Sequence, residues 1–138
     1  MHQDKANDCT SLANLKGRHV LIVEDNPFLA DIFTKIVSQW GIRVSTAESG
    51  DQALRTAVRL NPDLVLLDLC LPDIDGLEVA NRLRRNRKTR SLPILAISGR
   101  FQSWGECLSN GCNDFLLKPF HTAELLTRIS RLSPSKDC

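Results

Sequence analysis

The 138-residue sequence contains no apolar run approaching the roughly 18 residues that a membrane-spanning helix needs. Its first 17 residues are polar, so no secretory signal and no membrane association are expected. The five cysteines (Cys9, Cys70, Cys107, Cys112 and Cys138) are odd in number, irregularly spaced and never in a CxxC pair. That pattern excludes a disulfide framework and a cysteine zinc site, and it favours a reducing, cytoplasmic compartment. Glycine and proline number only 7 and 6, which excludes collagen-like and low-complexity chains. No GxxxxGK, GxGxxG, HExxH or GxSxG pattern occurs. Nucleotide binding, zinc proteolysis and serine hydrolysis therefore lack a signature.

What is present is one domain's worth of chain, with 42% hydrophobic and 25% charged residues. The net charge of +2 conceals a sorting of charge. Residues 81–90 carry six basic side chains and no acid, so removing those six from the total of 18 leaves 12 basic against 16 acidic. No aromatics interleave the basic run. It therefore reads as a solvated helix end, with no specific nucleic-acid partner.

Along the chain, short apolar runs alternate with helical spacing. Strands are expected at 20–23, 42–46, 64–67, 93–97 and 114–117. Helices follow each: one opened by the Asn26-Pro27 cap and ended at Gly41, one capped by Ser49 and broken at Asn61-Pro62, and one leading into the basic run. The fourth is short, spaced by Phe101, Trp104 and Leu108, and the last ends near Pro134. Five such units with apolar strands predict an α/β fold, a doubly wound parallel sheet flanked by five helices. Flexible tails are expected over 1–17 and 133–138, with the domain at 18–132.

The chemistry gathers at one sheet edge. Glu24 and Asp25 follow the first strand, Asp68 the third, Ser98 the fourth and Lys118 the fifth. Open α/β sheets bind ligands at the carboxyl ends of their strands. Carboxylates about 4 Å apart repel by up to about 4 kcal/mol at an effective dielectric of 20, so three together raise a pKa or recruit a cation. Hard oxygen ligands favour Mg²⁺, which in turn prefers phosphate oxygens. The Ser98 hydroxyl and Lys118 are then partners for a phosphoryl group, and the central Asp68 is the natural nucleophile for an acyl phosphate.

Together these segments resemble the CheY-like receiver domain of two-component response regulators. The motifs are residues 20–26 with Glu24 and Asp25, residues 66–78 around Asp68, residues 96–99 with Ser98, and residues 114–120 with Phe115 and Lys118. The resemblance covers about 18–132. It implies a flavodoxin-like sheet with strand order 2-1-3-4-5. It also implies that Asp68 accepts a phosphoryl group from a phosphohistidine, and that Glu24, Asp25, Asp68 and the backbone carbonyl of Cys70 hold Mg²⁺. Ser98 and Phe115 would form the switch, Lys118 would pair with a phosphoryl oxygen, and Lys118-Pro119 would be cis. The implied partners are a histidine kinase or histidine phosphotransfer protein, and a target reading the helix 4–strand 5–helix 5 face. Such a domain catalyses only its own phosphorylation and dephosphorylation.

Ser98 to Lys118 spans 20 residues, about two fewer than in most receivers, the shortening falling before helix four. A single-domain regulator is expected because little chain follows residue 132; the alternative is the receiver of a larger hybrid histidine kinase. A haloacid-dehalogenase-like phosphatase would need a second Asp two residues after the nucleophile, where Cys70 stands. A phosphorylation-independent interaction module would not need the complete set of acids and lysine.

Overall fold

A computed structural model describes residues 15–99 and 104–132. Five parallel strands, β1 (His19–Val23), β2 (Arg43–Ala47), β3 (Leu64–Asp68), β4 (Ile94–Ser98) and β5 (Asp114–Leu117), form one sheet in the order β2-β1-β3-β4-β5. The helices are α1 (Pro27–Ser38), α2 (Gly50–Leu60), α3 (Gly76–Arg85), α4 (Trp104–Ser109) and α5 (Thr122–Leu132). This is the doubly wound order that the resemblance implies, and its reversal point lies between β1 and β3.

Burial on both faces holds for the three central strands. From Val20 to Val23 and throughout β3 and β4, every residue is buried. The outer strands β2 and β5 include exposed and partly buried positions, and each has a neighbour on one side only. Successive side chains of the central strands feed two cores. Leu21, Val23, Val65, Leu67, Ile94 and Ala96 pack against α2, α3 and α4 residues. Val20, Ile22, Leu64, Leu66, Leu95 and Ile97 pack against Phe33 and Val37 of α1 and Leu125 and Ile129 of α5.

Local signals explain most boundaries. Asn26 Oδ1 accepts from the amides of Phe28 and Leu29, and Pro27 opens α1. Ser49 Oγ accepts from the Gln52 amide at α2, which ends at Asn61 in the left-handed region, φ 48°. Strand β4 starts at Ile94, one residue later than expected. Phe101 lies outside the described residues, and α4 is seen from Trp104.

The expected tails over 1–17 and 133–138 lie largely outside the described residues, but the packed part reaches further back than residue 18. Leu15 is buried in the α1/α5 core, and the Gly17 amide donates to the Gly41 carbonyl at 2.9 Å. The basic run also differs from a uniformly solvated face. Arg82 and Arg85 pair with Glu78 at 2.9 and 3.1 Å, whereas Arg84 turns inward. Its guanidinium donates to the carbonyls of Leu92 (2.6 Å) and Gly111 (2.9 Å) and to Asn113 Oδ1 (2.7 Å). One side chain thus ties the α3–β4 and α4–β5 connections together.

Gly76 lets α3 start directly against β3. A Cβ there would stand 2.4 Å from Leu69 Cα and 2.9 Å from the Asp68 carbonyl oxygen, and backbone cannot yield as a side-chain tip can. Gly76→Ala is expected to cost about 1–3 kcal/mol, the range of an overpacked core. Gly99→Ala, where nothing lies within 4 Å of a new Cβ, should be near neutral. Urea denaturation of both variants checks this; equal midpoints would contradict it.

Candidate phosphoacceptor and metal site

Four strand ends and the turns after them bring the polar residues together. Glu24 leaves β1 with its amide donating to the Ala47 carbonyl, and its side chain is almost wholly buried. Oε2 accepts from the Asn26 amide at 3.2 Å, while Oε1 is buried with no hydrogen-bond partner. Asp25 is exposed beside it. Asp68 ends the central strand, buried, with Oδ1 accepting from the Cys70 amide at 2.9 Å. One carboxylate oxygen from each of the three acids lies within 4.8 Å of the others.

Lys118 follows β5. Its Nζ stands 3.7 Å from both Glu24 Oε1 and Asp68 Oδ2, half-buried between them. Those distances are those of an ion pair without close hydrogen bonds, so space remains between the cation and the acids. One lysine against three carboxylates leaves the cluster short of positive charge. Burial, with Asp68 next to it, pushes the Glu24 carboxyl up to about 7, and Lys118 only partly offsets this.

The remaining expected residues sit at the same edge. Ser98 is fully buried at the end of β4, one position beyond Ile97, the register partner of Asp68. Its carbonyl accepts from the Lys118 amide at 2.8 Å, so β4 helps aim the lysine. Phe115 lies opposite Ala96 on β5, partly buried against the α2/α3/α4 core. The Lys118-Pro119 peptide is cis. The Cys70 side chain is exposed, while its backbone belongs to the site through the bond to Asp68. Cys107 and Cys112 are buried and free, and burial pushes the Cys112 thiol up to about 12, so both behave as small apolar side chains.

Two features were not read from the sequence. An open cleft beside Glu24 and Asp25 is lined by Asp31, Thr34, Thr46 and Glu48, which extends the acidic surface. Asp73 of the β3–α3 loop reaches across to α2, with its carboxylate accepting from Gly50 and Asp51 amides. Neither residue group carries a local signal; only the strand order brings them near.

The donor set suits a hard divalent cation. All three side chains offer carboxylate oxygens, and Glu24 Oε1 is a buried acceptor without a hydrogen-bond donor. An acidic cluster at the reversal point of a 2-1-3-4-5 sheet, faced by a lysine, defines a receiver-type signalling domain. Residues 20–130 match the response regulator receiver domain model, and the chain belongs to that family.

The chain is 37% identical to the receiver domain of the sensor histidine kinase PA1611 from Pseudomonas aeruginosa, whose structure has a magnesium ion coordinated in the active-site cleft. The two superpose with a TM-score of 0.76 over 85% of this chain and 97% of that one. The response regulator TrrA of Thermotoga maritima, solved in complex with Mg²⁺-BeF, is 29% identical, with a TM-score of 0.76 over 83% and 98% of the chains. Among curated relatives, the DNA-binding dual master transcriptional regulator RpaA of Synechocystis is 36% identical over 82% of this chain and 48% of its own length. The chain thus spans about half the length of the curated relatives it matches. Among the described residues, no helix is long and apolar enough to cross a membrane.

The Glu24 shift sets a pH dependence. A carboxyl whose folded pKa lies near 7 binds its proton more tightly folded than unfolded, where the ordinary value is 4.5. Stability from that proton is complete below about 4.5 and is lost as pH rises through 7. In buffer with EDTA, stability should therefore fall across that window, and Glu24→Gln should flatten the fall. A wild-type profile that rises there, with the variant unchanged from it, would contradict the assignment.

Proposed function

We propose that this receiver domain takes a phosphoryl group onto Asp68 from a phosphohistidine, borne by a histidine kinase or a histidine phosphotransfer protein. The observation that carries the reading is the buried Asp68 carboxylate at the end of the central strand, faced by Lys118 at 3.7 Å and two further acids. One Asp68 oxygen attacks phosphorus, the P–N bond breaks, and its electron pair returns to the imidazole. The Cys70 amide holds the other oxygen, which leaves Oδ2, on the lysine side, as the attacking atom.

Glu24, Asp25, Asp68 and the backbone carbonyl of Cys70 would hold Mg²⁺, which when bound offsets the charge that builds on the phosphoryl oxygens. Lys118 supplies a fixed positive charge to one of those oxygens. The Ser98 hydroxyl donates to another, a bond worth about 1.5–3 kcal/mol to a charged acceptor. That is enough to shift a two-state equilibrium tenfold or more. Phe115 fills the space that Ser98 vacates, and a downstream protein reads the changed face of α4, β5 and α5.

Trp104, Leu108 and Leu117 are large apolar side chains exposed on α4 and β5, which supports that face as the reading surface. The reading holds whether the domain acts alone or within a longer chain, as in the histidine kinase from Pseudomonas. A cytoplasmic setting fits the free thiols.

Intact mass after incubation with acetyl phosphate and Mg²⁺ tests the reading. One added phosphoryl group is expected on the wild type and none on Asp68→Asn. Asp25→Ala should weaken Mg²⁺ binding about tenfold or more and slow labelling. Equal labelling of Asp68→Asn would overturn the assignment.

A further inference from the structure

The loop between β3 and α3, residues 69–75, carries the Cys70 amide that fixes one oxygen of Asp68. Its near end is secured to the sheet: the Leu69 amide donates to the Ile97 carbonyl at 2.9 Å, and the Gly76 amide donates to the Leu69 carbonyl at 3.1 Å. Its far end is secured differently. Asp73 Oδ1 accepts from the Gly50 amide at 2.8 Å and Oδ2 from the Asp51 amide at 3.0 Å. Among the described residues, these are the only hydrogen bonds tying residues 70–74 to an element other than the loop and its flanks.

Helix α2 also has a cap of its own. Ser49 Oγ already takes the Gln52 amide at 3.2 Å, and Gln52 Oε1 reaches back to the Glu48 amide at 2.7 Å. These bonds serve the Gln52 amide and the amide before the cap residue, and they leave the Gly50 and Asp51 amides to Asp73. The Asp51 amide, at an exposed bond, could be served by water. The two bonds therefore serve the loop and the helix start together. Apolar packing holds the same place less specifically: Ile74 lies against Gly50, where an added Cβ would come within 3.0 Å of Ile74 Cβ.

We infer that Asp73 is a positioning residue for the phosphoacceptor site: by clamping the β3–α3 loop to the first turn of α2, it fixes the Cys70 backbone against Asp68 and toward the cation. The inference rests on the phosphoacceptor reading of Asp68 above. A bidentate carboxylate across two successive helix amides sets both distance and rotation of the loop, adding direction to the non-directional packing of Leu71 and Ile74. Residues that orient metal ligands from outside typically change affinity or activity 10–100-fold when removed.

Asp73→Ala and Asp73→Asn are compared with the wild type by Mg²⁺ titration, by amide exchange, and by labelling with acetyl phosphate. Faster exchange of the Cys70 amide in Asp73→Ala is expected, with about tenfold weaker Mg²⁺ binding. Slower labelling should accompany it. Asp73→Asn, which keeps one acceptor, should fall between. Loss of protection at Gly50 and Asp51 alone, with the Cys70 amide and Mg²⁺ affinity unchanged in both variants, would reduce Asp73 to a helix cap and overturn the inference. A wild type that takes no phosphoryl group at Asp68 would instead defeat the underlying reading, while the exchange and titration still judge the clamp.

Discussion

Three carboxylates held against one lysine at the edge of a buried sheet form the constraint on which the rest of the molecule depends. Each pair of acids at this separation repels by about 3–4 kcal/mol at an effective dielectric of 20, and Lys118 at 3.7 Å meets only part of that. The raised pKa of Glu24 registers its burial first and then the neighbouring Asp68. An arrangement of this kind is costly to a fold unless the chain uses it, and a divalent cation with a phosphoryl group relieves it. The charge deficit and its proposed use are thus two sides of one interaction.

The fold supplies the rigidity that such an arrangement demands. Asp68 can be kept buried because β3 lies in the middle of the sheet and is buried along its whole length. Glu24 is placed beside it by the adjacent pairing of β1 and β3, and Lys118 is aimed by its amide bond to Ser98. Gly76 allows α3 to press on the backbone of residues 68 and 69, and Asp73 holds the same loop from its other end. The acids are therefore fixed from the backbone outward. Among the described residues, the large exposed apolar side chains lie on α4 and β5, on α1, where Phe28 and Ile32 face solvent, and at Trp40 just beyond it.

Much of this was legible in the sequence because it depends on local pattern. The run 64–67 followed by Asp68 marks a buried strand ending in its first polar residue, and the same logic places Glu24, Ser98 and Lys118. Caps such as Asn26-Pro27 and Ser49 announce their helices. What escaped depends on contacts between distant segments. Arg84 looks like any other member of a basic run, yet the turn at Gly111 and the carbonyl of Leu92 draw it inward. Asp73 is one of two acids in its loop, and its partners lie 22 and 23 residues away. Leu15 reads as part of a polar leader until the α1/α5 core closes over it.

The central claim is that Asp68, among all the acids clustered at this edge, is the group that forms the acyl phosphate. Borohydride reduction of the phosphorylated protein converts an aspartyl phosphate to homoserine, which peptide mass spectrometry locates. The account predicts homoserine at position 68 after treatment with acetyl phosphate and Mg²⁺, and none when EDTA replaces the metal. Homoserine at position 25, or at 68 regardless of metal, would contradict it.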